Sequence, residues 1–479
     1  MPAAHLTVWD DAACWRVHEA TLALLEETGV EVRHPGAREL LGEAGARLAG
    51  TRARIPATLV DEALQAAPRR FSMPGRGADG GGRGHARRGE CGTLELADGH
   101  SYFGTGSDCV YVADPDTGRR RRATAADVEG MAGLAEELPN IDFVMSMGLP
   151  SDVPSRAGDL AQFAAMLAGT RKPLLTTAHD SLSLRRMRDM AALCGEAHSF
   201  GCYAMPNPPL VHSAEALDKV LACAELEIPL VYAPAPAAGT TAPASIAATV
   251  VVGNAETLSG LVVHQLRKAG APFVYGAGCG AFDMRTAVDV YGAPEHLLGN
   301  AAATDLARFY GLPSFAYAAV ADAKTFDEQW AAEAGMTAVL GALSRATLLH
   351  DVGYLESGLQ SSYETMMLGD ELVGYARELL VEVGVGDEAL ALNEIDAVGP
   401  GGSHLGRAYT RRHHRDAWRP TLFDRATHER WRAAGASTLK ERVLARTEAL
   451  RAAPRGFTLE ASIREQLRQV LAEASGGGS

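Results

Sequence analysis

Segment 322–364 concentrates polar side chains where two successive buried strands are predicted to end. Polar groups gathered at strand ends usually serve a ligand, because rigid strands hold them in place while the following loops leave them accessible. Carboxylates in such a cluster can attract a cation, whereas amide and imidazole groups can donate to an anion. The polar members of the segment are Asp322, Lys324, Asp327, Glu328, Gln329, His350, Asp351, Tyr354 and Glu356.

The elements that must position these side chains are short apolar strands alternating with amphipathic helices from about residue 124 onward. Eight such steps in roughly 280 residues fit the size of a (β/α)8 TIM barrel, a fold of the α/β class. A doubly wound open sheet would require a glycine-rich dinucleotide turn after its first strand, where this sequence reads GLPSDVPS. The predicted strands are 141–147, 173–177, 200–205, 229–233, 272–276, 313–318, 346–350 and 395–398.

The rest of the sequence is predicted to flank this barrel on both sides. Helical patterns and a glycine-rich β-hairpin at 102–106 predict an N-terminal extension over 1–123, after which the barrel spans 124–410. A C-terminal helical extension is expected over 411–474, followed by a disordered tail at 475–479. Large barrels with helical tails often assemble, so a homo-oligomer is expected.

Composition and charge exclude several classes of protein. The 479 residues carry a net charge of −14, with 59 acidic and 45 basic side chains, so the overall field repels nucleic acid and anionic membranes. The seven cysteines are widely spread and never spaced as CxxC, which fits a reducing cytoplasm and predicts neither disulfides nor a zinc ribbon. No leader and no apolar run of about 20 residues is visible, so a cytoplasmic protein without a membrane span is expected.

In a TIM barrel the chemistry lies on the loops that follow the strands, because all carboxyl ends of the strands open at one mouth. His350 ends a predicted strand and is expected to point into this mouth, although a histidine in an apolar strand is more often a hydrogen-bonded core residue. Glu356 could orient His350, or it could cap the following helix instead. Glu328 could balance a cation, or it could serve the dipole of the helix that it begins.

Several motifs resemble the trimethylamine methyltransferase family and occur in the family's order over about residues 30–440. This resemblance implies a barrel methyltransferase that moves a methyl group from a methylamine to the Co(I) corrinoid (cobalamin) carried by a separate small protein. The motifs are SDVP at 151–154, PNPPL at 206–210, GNAETLSG at 253–260, YGAPEHLL at 291–298, ADAKTFDEQWAAE at 321–333, LLHDVGYLESGL at 348–359 and VGPGGSHL at 398–405.

The sequence departs from the family at one position that affects the substrate. Founding members carry pyrrolysine in the region that reads Asp327-Glu328-Gln329 here, and we align Glu328 with it. A tertiary amine must become quaternary before it can leave as a neutral amine, a role attributed to the pyrrolysine imine. A quaternary ammonium compound needs no such help, so this chain resembles the members without pyrrolysine, which demethylate glycine betaine, proline betaine or carnitine.

The resemblance also implies roles for the candidate residues. Aromatic faces suit a quaternary ammonium group, at about 0.5–2 kcal/mol each, while a betaine carboxylate would need hydrogen-bond donors. The expected catalytic residues are His350 and Glu328. The expected substrate-binding residues are Tyr102, Phe103, Gln329, Tyr354 and Glu356. The expected corrinoid-binding residues are Asn254, Glu256, Gly276 and Gly278.

Some of these assignments have structural alternatives. Tyr102 and Phe103 could pack between the hairpin and the barrel rim, and Asn254 with Glu256 could cap and begin a helix. No metal site is predicted, because the histidines near 404–414 lack a carboxylate or cysteine at ligand spacing. Two other functions stay open, namely a barrel enzyme with different chemistry or another methylated amine as substrate, and a betaine-binding homologue without turnover.

Overall fold

Eight parallel strands close into a barrel in the computed structural model, which describes residues 4–77 and 92–476. Neighbouring strands pair in sequence order, and the ring closes where Leu348 in the last strand pairs with Tyr102 in the first. The strands are β1 (Tyr102–Thr105), β2 (the bridged residues Phe143 and Val144), β3 (Leu174–Thr176), β4 (Phe200–Ala204), β5 (Leu230–Tyr232), β6 (Phe273–Tyr275), β7 (Phe315–Tyr317) and β8 (Leu348–Val352).

A helix follows each strand and packs against the helices beside it, as expected of successive βα units. The helices are α1 (Ala125–Glu137), α2 (Gly158–Gly169), α3 (Ser181–Leu193), α4 (Ala214–Leu226), α5 (Ile246–Arg267), α6 (Pro294–Tyr310), α7 (Glu328–Ser344) and α8 (Tyr363–Glu378). Their starting points follow from the sequence, because Thr124 and Asp127 form a capping box at α1 and the Asp327 carboxylate accepts two amides at α7.

The barrel interior is filled by apolar side chains and is closed at the end where the strands begin. The hairpin of strands Arg70–Pro74 and Thr93–Ala97 covers this end, and its Glu95 amide donates to the hydroxyl of Tyr102, the first residue of β1. The mouth therefore lies at the opposite end, where the strands finish. The interior cluster consists of Met73, Leu94, Leu96, Phe143, Met145, Leu175, Val231, Ala233, Val274, Phe315 and Leu348.

The N-terminal extension packs mainly on α5. Its strand Val30–Val32 also pairs in parallel with Val211–His212, in the loop after β4. By length and composition α5 could cross a membrane, but 78% of its most apolar stretch is buried inside the protein. The elements of the extension are the helices Asp11–Ala23, Leu24–Thr28, Pro35–Glu43 and Ala57–Ala66 and the strands Val30–Val32, Arg47–Ala49 and Arg52–Arg54.

Short strands are inserted in the loops on the mouth side of the barrel. The hairpin Tyr111–Ala113 and Arg120–Arg122 follows β1, and Gln360–Ser361 joins it in parallel after β8. Gln360–Ser361 also pairs with Tyr354–Leu355, and a small hairpin of Phe282–Asp283 and Val288–Asp289 follows β6.

The C-terminal extension returns along the outside of the barrel. Its helix Leu439–Ala452 packs on α8 and α1, and Ala461–Gly476 packs on α2 and α3. Shorter helices precede them at Asp387–Leu390, Leu392–Val398, Ala408–His413 and His428–Ala433. The sequence prediction of a tail over 475–479 overlaps this last long helix at residues 475 and 476, and residues 477–479 lie outside the described part.

The barrel itself confirms the predicted fold class. One of the eight predicted strands is wrong, however, and one barrel strand was missed. The predicted strand 395–398 is part of the exposed helix Leu392–Val398, where Ile395 is 53% exposed. The first strand is instead Tyr102–Thr105, which the sequence placed in an N-terminal hairpin module. This strand is short and ends at a glycine-rich turn, so the pattern resembles a hairpin until its pairing with β8 is known. The strands of the barrel therefore run from Tyr102 to Val352, not within 124–410.

Candidate active site

Aromatic side chains from three strands line the mouth of the barrel. Phe315 and Tyr317 lie two residues apart on β7, and their backbone partners on β8 are Leu348 and His350. Because side chains alternate along a strand, residues two apart on one strand share a face. Phe315 and Leu348 belong to the barrel interior, so Tyr317 and His350 lie on the same face, one step nearer the mouth.

The rings in the mouth form two groups of contacts, which together are called the aromatic wall. The imidazole of His350 stacks on Phe315 with ring centroids 3.9 Å apart, and Tyr203 of β4 lies 5.5 Å from Phe315 and 6.3 Å from His350. On the other side Tyr317 lies 4.4 Å from His296. The ring of Tyr291 stacks on His296 at 4.9 Å. Such a wall presents the negative faces of several rings to a bound cation.

Four buried polar atoms in this wall find no hydrogen-bond partner among the described residues. They are Nδ1 of His296, the hydroxyl of Tyr317, Nδ1 of His350 and Oδ1 of Asp351. The His350 and Asp351 atoms lie 2.5 Å apart, which is within ion-pair distance, yet their orientation is not that of a hydrogen bond. Buried polar groups are nearly always paired, so the two atoms without any polar neighbour among the described residues, Nδ1 of His296 and the Tyr317 hydroxyl, mark the mouth as a place for a ligand.

Two carboxylates contribute negative charge to the mouth. Asp351 is buried at the end of β8, and Asp108 lies in the loop after β1 and keeps part of its surface exposed. Both have left-handed backbones, with φ of 72° and 55°, which are strained for an aspartate. Burial raises the pKa of Asp108, while hydrogen bonds to its carboxylate from Gln162 and Thr177 oppose that rise.

His296 and the tyrosines stay uncharged in this environment. Burial lowers the pKa of His296 to about 3, so its imidazole is neutral at physiological pH. Burial is the main cause that raises the pKa of Tyr203, Tyr317 and Tyr354 well above 10, and Asp351 contributes to the rise at all three. His296 and these tyrosines are therefore neutral at physiological pH.

Tyr354 is buried and forms part of the structural support of the mouth. Its hydroxyl accepts a 2.7 Å hydrogen bond from the amide of Ser107 and donates to the Ser107 carbonyl. The ring also fills the space beside Gly106, where a Cβ atom would lie 1.9 Å from it. Tyr354 therefore fixes the loop that carries Asp108, a role different from the substrate contact expected from the sequence.

The other predicted aromatic pair lies away from the mouth. Tyr102 begins β1 at the closed end of the barrel, where it contacts the hairpin strand Thr93–Ala97. Phe103 is fully buried on the outer face of β1, under the Arg377 guanidinium at 5.1 Å. Their expected contact with substrate is corrected by the direction of β1, which enters the barrel at the end opposite the mouth.

The predicted acidic and amide residues after β7 and β8 lie on the surface. Glu328 and Gln329 are exposed in the first turn of α7, and the Gln329 amide donates to Glu333 at 2.8 Å. Glu356 forms a 2.7 Å ion pair with Arg120 in a groove beside the C-terminal helices. None of these three residues contacts His350 or the aromatic wall through a described bond.

The predicted corrinoid-binding residues of α5 are buried in the body of the protein. Asn254 is fully buried, where its amide nitrogen donates to Thr21 and Tyr310 and its oxygen accepts from Tyr275. Glu256 is also fully buried and accepts the Leu210 amide, and burial raises its pKa to about 8. Asn254 joins α5 to the N-terminal extension, to α6 and to β6, and Glu256 joins α5 to the loop after β4. The predicted alternative of a helix cap and a first-turn acid is wrong, because α5 begins at Ile246 with Ser245 as its N-cap and both residues lie in its middle.

Gly276 and Gly278 follow β6 and let two backbones approach each other. A Cβ atom on Gly276 would lie 2.8 Å from the Tyr232 carbonyl, and one on Gly278 would lie 3.0 Å from that of Pro234. The Gly278 amide donates to the Pro234 carbonyl at 3.1 Å, so this segment continues the pairing of β5 and β6 toward the mouth. The close approach of the two backbones accounts for a glycine at both positions.

Of the predicted residues, only His350 lies in the wall itself, with Tyr354 behind it. The sequence reasoning missed Tyr203, Phe315 and Tyr317, whose alternation on predicted strands was the available signal. It also missed Tyr291 and His296, although both stand in the quoted motif YGAPEHLL. The described residues contain no group of three or more metal-ligating side chains.

Comparison with known proteins identifies the family. The model of the family described as Trimethylamine methyltransferase (MTTB) matches residues 2–476, nearly the whole chain. The chain belongs to the trimethylamine methyltransferase family. Within the family it is 29% identical to the glycine betaine methyltransferase of Desulfitobacterium hafniense strain Y51 over 469 residues, which cover 96% of this chain and 95% of the relative.

Other relatives show a comparable degree of similarity. The trimethylamine methyltransferase MttB of Methanosarcina barkeri is 30% identical over 439 residues, covering 88% of this chain and 86% of the relative. Among solved structures, the monomethylamine methyltransferase of Methanosarcina barkeri covers 98% of this chain and 89% of its own, with 12% identity and a TM-score of 0.49. The family is thus one of methyltransferases, and its members differ in the methylated amine that they are named for.

Proposed function

We propose that this protein transfers a methyl group from a quaternary ammonium compound to the Co(I) corrinoid of a partner protein. The observation that carries this proposal is the aromatic wall of the mouth, with His350 stacked on Phe315 and the carboxylates of Asp108 and Asp351 close to it. A wall of aromatic rings beside carboxyl groups suits an alkylated ammonium cation. The absence of pyrrolysine from the sequence and the similarity to a glycine betaine methyltransferase support the quaternary class.

The chemical step places few demands on the protein. The electron pair of Co(I) forms the new bond to the methyl carbon while the C–N pair departs with nitrogen, so a quaternary ammonium leaves as a neutral tertiary amine. Nitrogen, carbon and cobalt must be collinear, and most of the catalysis therefore comes from positioning. The positive charge on nitrogen disappears in the transition state, so the wall should hold the cation firmly enough to orient it without stabilising the ground state too strongly.

The residues of the mouth would divide this work between them. Tyr203 and Tyr317 would present ring faces to the methyl groups, and Phe315 would support the imidazole of His350 that lies on it. His350 lies on Phe315 beside Asp351, where its imidazole can fix the position of the ammonium group or contact the corrinoid partner. Tyr354 would hold the loop of Asp108 in place.

The test is anaerobic incubation of the protein with chemically reduced cobalamin and a panel of methylated amines, followed by the absorbance of methylcobalamin. We expect methyl transfer from at least one quaternary compound and a loss of more than tenfold in the rate with His350→Gln. Methyl transfer from trimethylamine alone would favour the tertiary-amine activity instead. No transfer from any compound, with the fold intact by circular dichroism, would contradict the proposal.

A further inference from the structure

We propose that a folded arm formed by residues 379–417 is the surface through which two copies of this chain associate. The inference goes beyond methyl transfer and does not depend on it. It is carried by the exposure of the arm, by the end of the barrel from which the arm leaves, and by the way in which its charges are divided along the sequence.

The arm exposes a group of large apolar side chains. Every residue from Arg377 to Thr421 is exposed or half-buried, although the stretch includes the helices Asp387–Leu390, Leu392–Val398 and Ala408–His413. Monomeric proteins rarely leave so many neighbouring apolar groups in contact with water, and such patches mark interaction surfaces. The exposed fractions of these side chains run from 36% to 88%, and the residues are Leu379, Val381, Val383, Val385, Leu390, Leu392, Ile395 and Leu405.

The arm keeps its shape through contacts within itself. Arg407 forms an ion pair with Glu394, and the hydroxyl of Tyr409 donates to the carbonyl of Glu388 at 2.9 Å. Its helices do not pack broadly on any described helix or strand of the barrel or of the two extensions. A segment that folds without covering its own apolar side chains gains free energy when another surface covers them.

Both ends of the arm are fixed at the closed end of the barrel. α8 follows β8 at the mouth and runs back along the outside, so its last residue, Glu378, lies at the closed end. There the Arg377 guanidinium lies 5.1 Å from the centre of the Phe103 ring, and Trp418, just after the arm, lies 5.5 Å from the ring of Tyr375. A protein that accepts the methyl group must reach the opposite end, so the corrinoid partner is not the molecule expected on the arm.

The charges of the arm favour a second copy of the same arm. Its first half, 379–398, carries acidic side chains and neither lysine nor arginine, whereas its second half, 399–417, carries four arginines against Asp416. Among the described residues, Arg411, Arg412 and Arg415 find no ion-pair partner. The charges of these guanidinium groups are therefore available to another molecule.

A two-fold axis would use this division of charge twice. Such an axis brings the same surface of both copies together, so an antiparallel pair of arms places the acidic half of each on the basic half of the other. The apolar side chains listed above would be covered between them. A stable interface takes about 20–30 residues from each partner, and the arm offers a stretch of at least that size in one piece.

Sedimentation velocity tests the proposal on the full chain. We expect the unmodified protein to have at least twice the mass of one chain, and Val383→Glu to raise the dissociation constant of the assembly at least tenfold. Val383 is 78% exposed, so its substitution should leave the fold intact. Leu48→Glu is the matched control, since Leu48 is 44% exposed on the strand Arg47–Ala49, and it should leave the dissociation constant unchanged. A monomeric unmodified protein, or equal dissociation constants for the two variants, would overturn the proposal.

Charge reversal tests the antiparallel pairing separately. One double variant combines Arg411→Glu with Arg412→Glu, and the other combines Asp387→Arg with Asp396→Arg. Each alone should associate at least tenfold more weakly than the unmodified protein, because like charges then face each other. An equimolar mixture of the two should recover the association, because each reversed half meets a complementary half in the mixed dimer.

Two outcomes would overturn the assignment, provided that circular dichroism shows each variant to be folded. The first is a mixture that associates no better than its components, which would exclude the pairing of the arms. The second is unchanged self-association of Val383→Glu together with weaker binding of the corrinoid protein, because the arm would then belong to that partner.

Discussion

The imidazole of His350 lies flat on the ring of Phe315, with ring centroids 3.9 Å apart and planes inclined by only 10°. The two residues belong to neighbouring strands, and His350 is one side-chain layer closer to the mouth because Phe315 pairs with Leu348. The stacking fixes the plane of the imidazole and joins the apolar interior of the barrel to its polar opening. Any ligand that contacts His350 is therefore held beside an aromatic surface.

Tyr203 provides the clearest test of that surface, because its ring can be kept or removed separately from its hydroxyl. Tyr203→Phe should bind a quaternary ammonium compound almost as well as the unmodified protein, since the one hydrogen bond of the hydroxyl to a described residue is to the Met205 sulfur at 3.2 Å. Tyr203→Leu should raise the dissociation constant about 2- to 30-fold, which corresponds to the 0.5–2 kcal/mol of one cation–π contact. Titration calorimetry measures both values.

Tyr375→Leu is a suitable control for the loss of an aromatic ring, because Tyr375 is 44% exposed on the outer side of α8. It should leave the dissociation constant unchanged. If Tyr203→Phe weakened binding as much as Tyr203→Leu, the hydroxyl and not the ring face would be the binding group.

The sequence predicted the barrel well because its strands and helices alternate with clear periods. Seven of the eight predicted strands coincide with barrel strands, although β2 retains only Phe143 and Val144. The missing strand, Tyr102–Thr105, joins the ring through β8, nearly 250 residues further along the chain. A pairing across this distance leaves no local pattern, so the same residues were predicted to form a hairpin.

The site was less predictable because its residues depend on where strands begin and on which face they present. Residues 102–106 were predicted as a hairpin beside the mouth, but Tyr102 begins a barrel strand and therefore lies at the closed end. Glu356 comes four residues after Val352, the end of β8, and its carboxylate pairs with Arg120. His350 was placed at the mouth because its strand is long and apolar up to that residue.

Gly106 is expected to tolerate no side chain, because the ring of Tyr354 occupies that space. In Gly106→Ala a Cβ atom would lie 1.9 Å from the Tyr354 ring, so the ring or the loop of Ser107 and Asp108 must shift. The expected loss is about 1–3 kcal/mol in the free energy of unfolding, as for other overpacked sites. Methyl transfer should fall as well, and urea denaturation and the methylcobalamin assay measure the two effects.

Gly335→Ala is the matched control, since Gly335 lies within α7 and its nearest neighbour would be 3.9 Å away. Alanine there should leave stability unchanged or raise it by up to about 1 kcal/mol, because it favours the helix. If both variants were equally stable, the packing of the Tyr354 ring would not require a glycine at position 106.

Glu356 is close to the active-site residues in sequence, and its substitution tests whether it contributes to methyl transfer. Glu356→Gln removes the ion pair with Arg120, whose guanidinium still lies 3.5 Å above the Tyr111 ring. Because both partners are partly exposed, the expected loss of unfolding free energy is below about 1 kcal/mol. Methyl transfer should stay within twofold of the unmodified protein. A tenfold loss of rate with unchanged stability would return Glu356 to the active site.

Glu256 should make the stability of the protein depend on pH. Burial raises its pKa in the folded protein to about 8, from 4.5 in an exposed setting. Below pH 4.5 the carboxyl is protonated in both the folded and the unfolded chain, so it contributes no pH dependence. As pH rises from 4.5 to 8 only the unfolded chain loses the proton, and the free energy of unfolding falls by up to about 4–5 kcal/mol. Above pH 8 the effect is constant.

Glu256→Gln removes this titration and keeps an oxygen that can accept the Leu210 amide. Its free energy of unfolding relative to the unmodified protein should therefore rise with pH between 4.5 and 8, when both are measured by urea denaturation. Taking the difference cancels every other titrating group. Glu62→Gln, an exposed change on the helix Ala57–Ala66, should give a difference that does not vary with pH. A flat difference for Glu256→Gln as well would mean that Glu256 is charged in the folded protein.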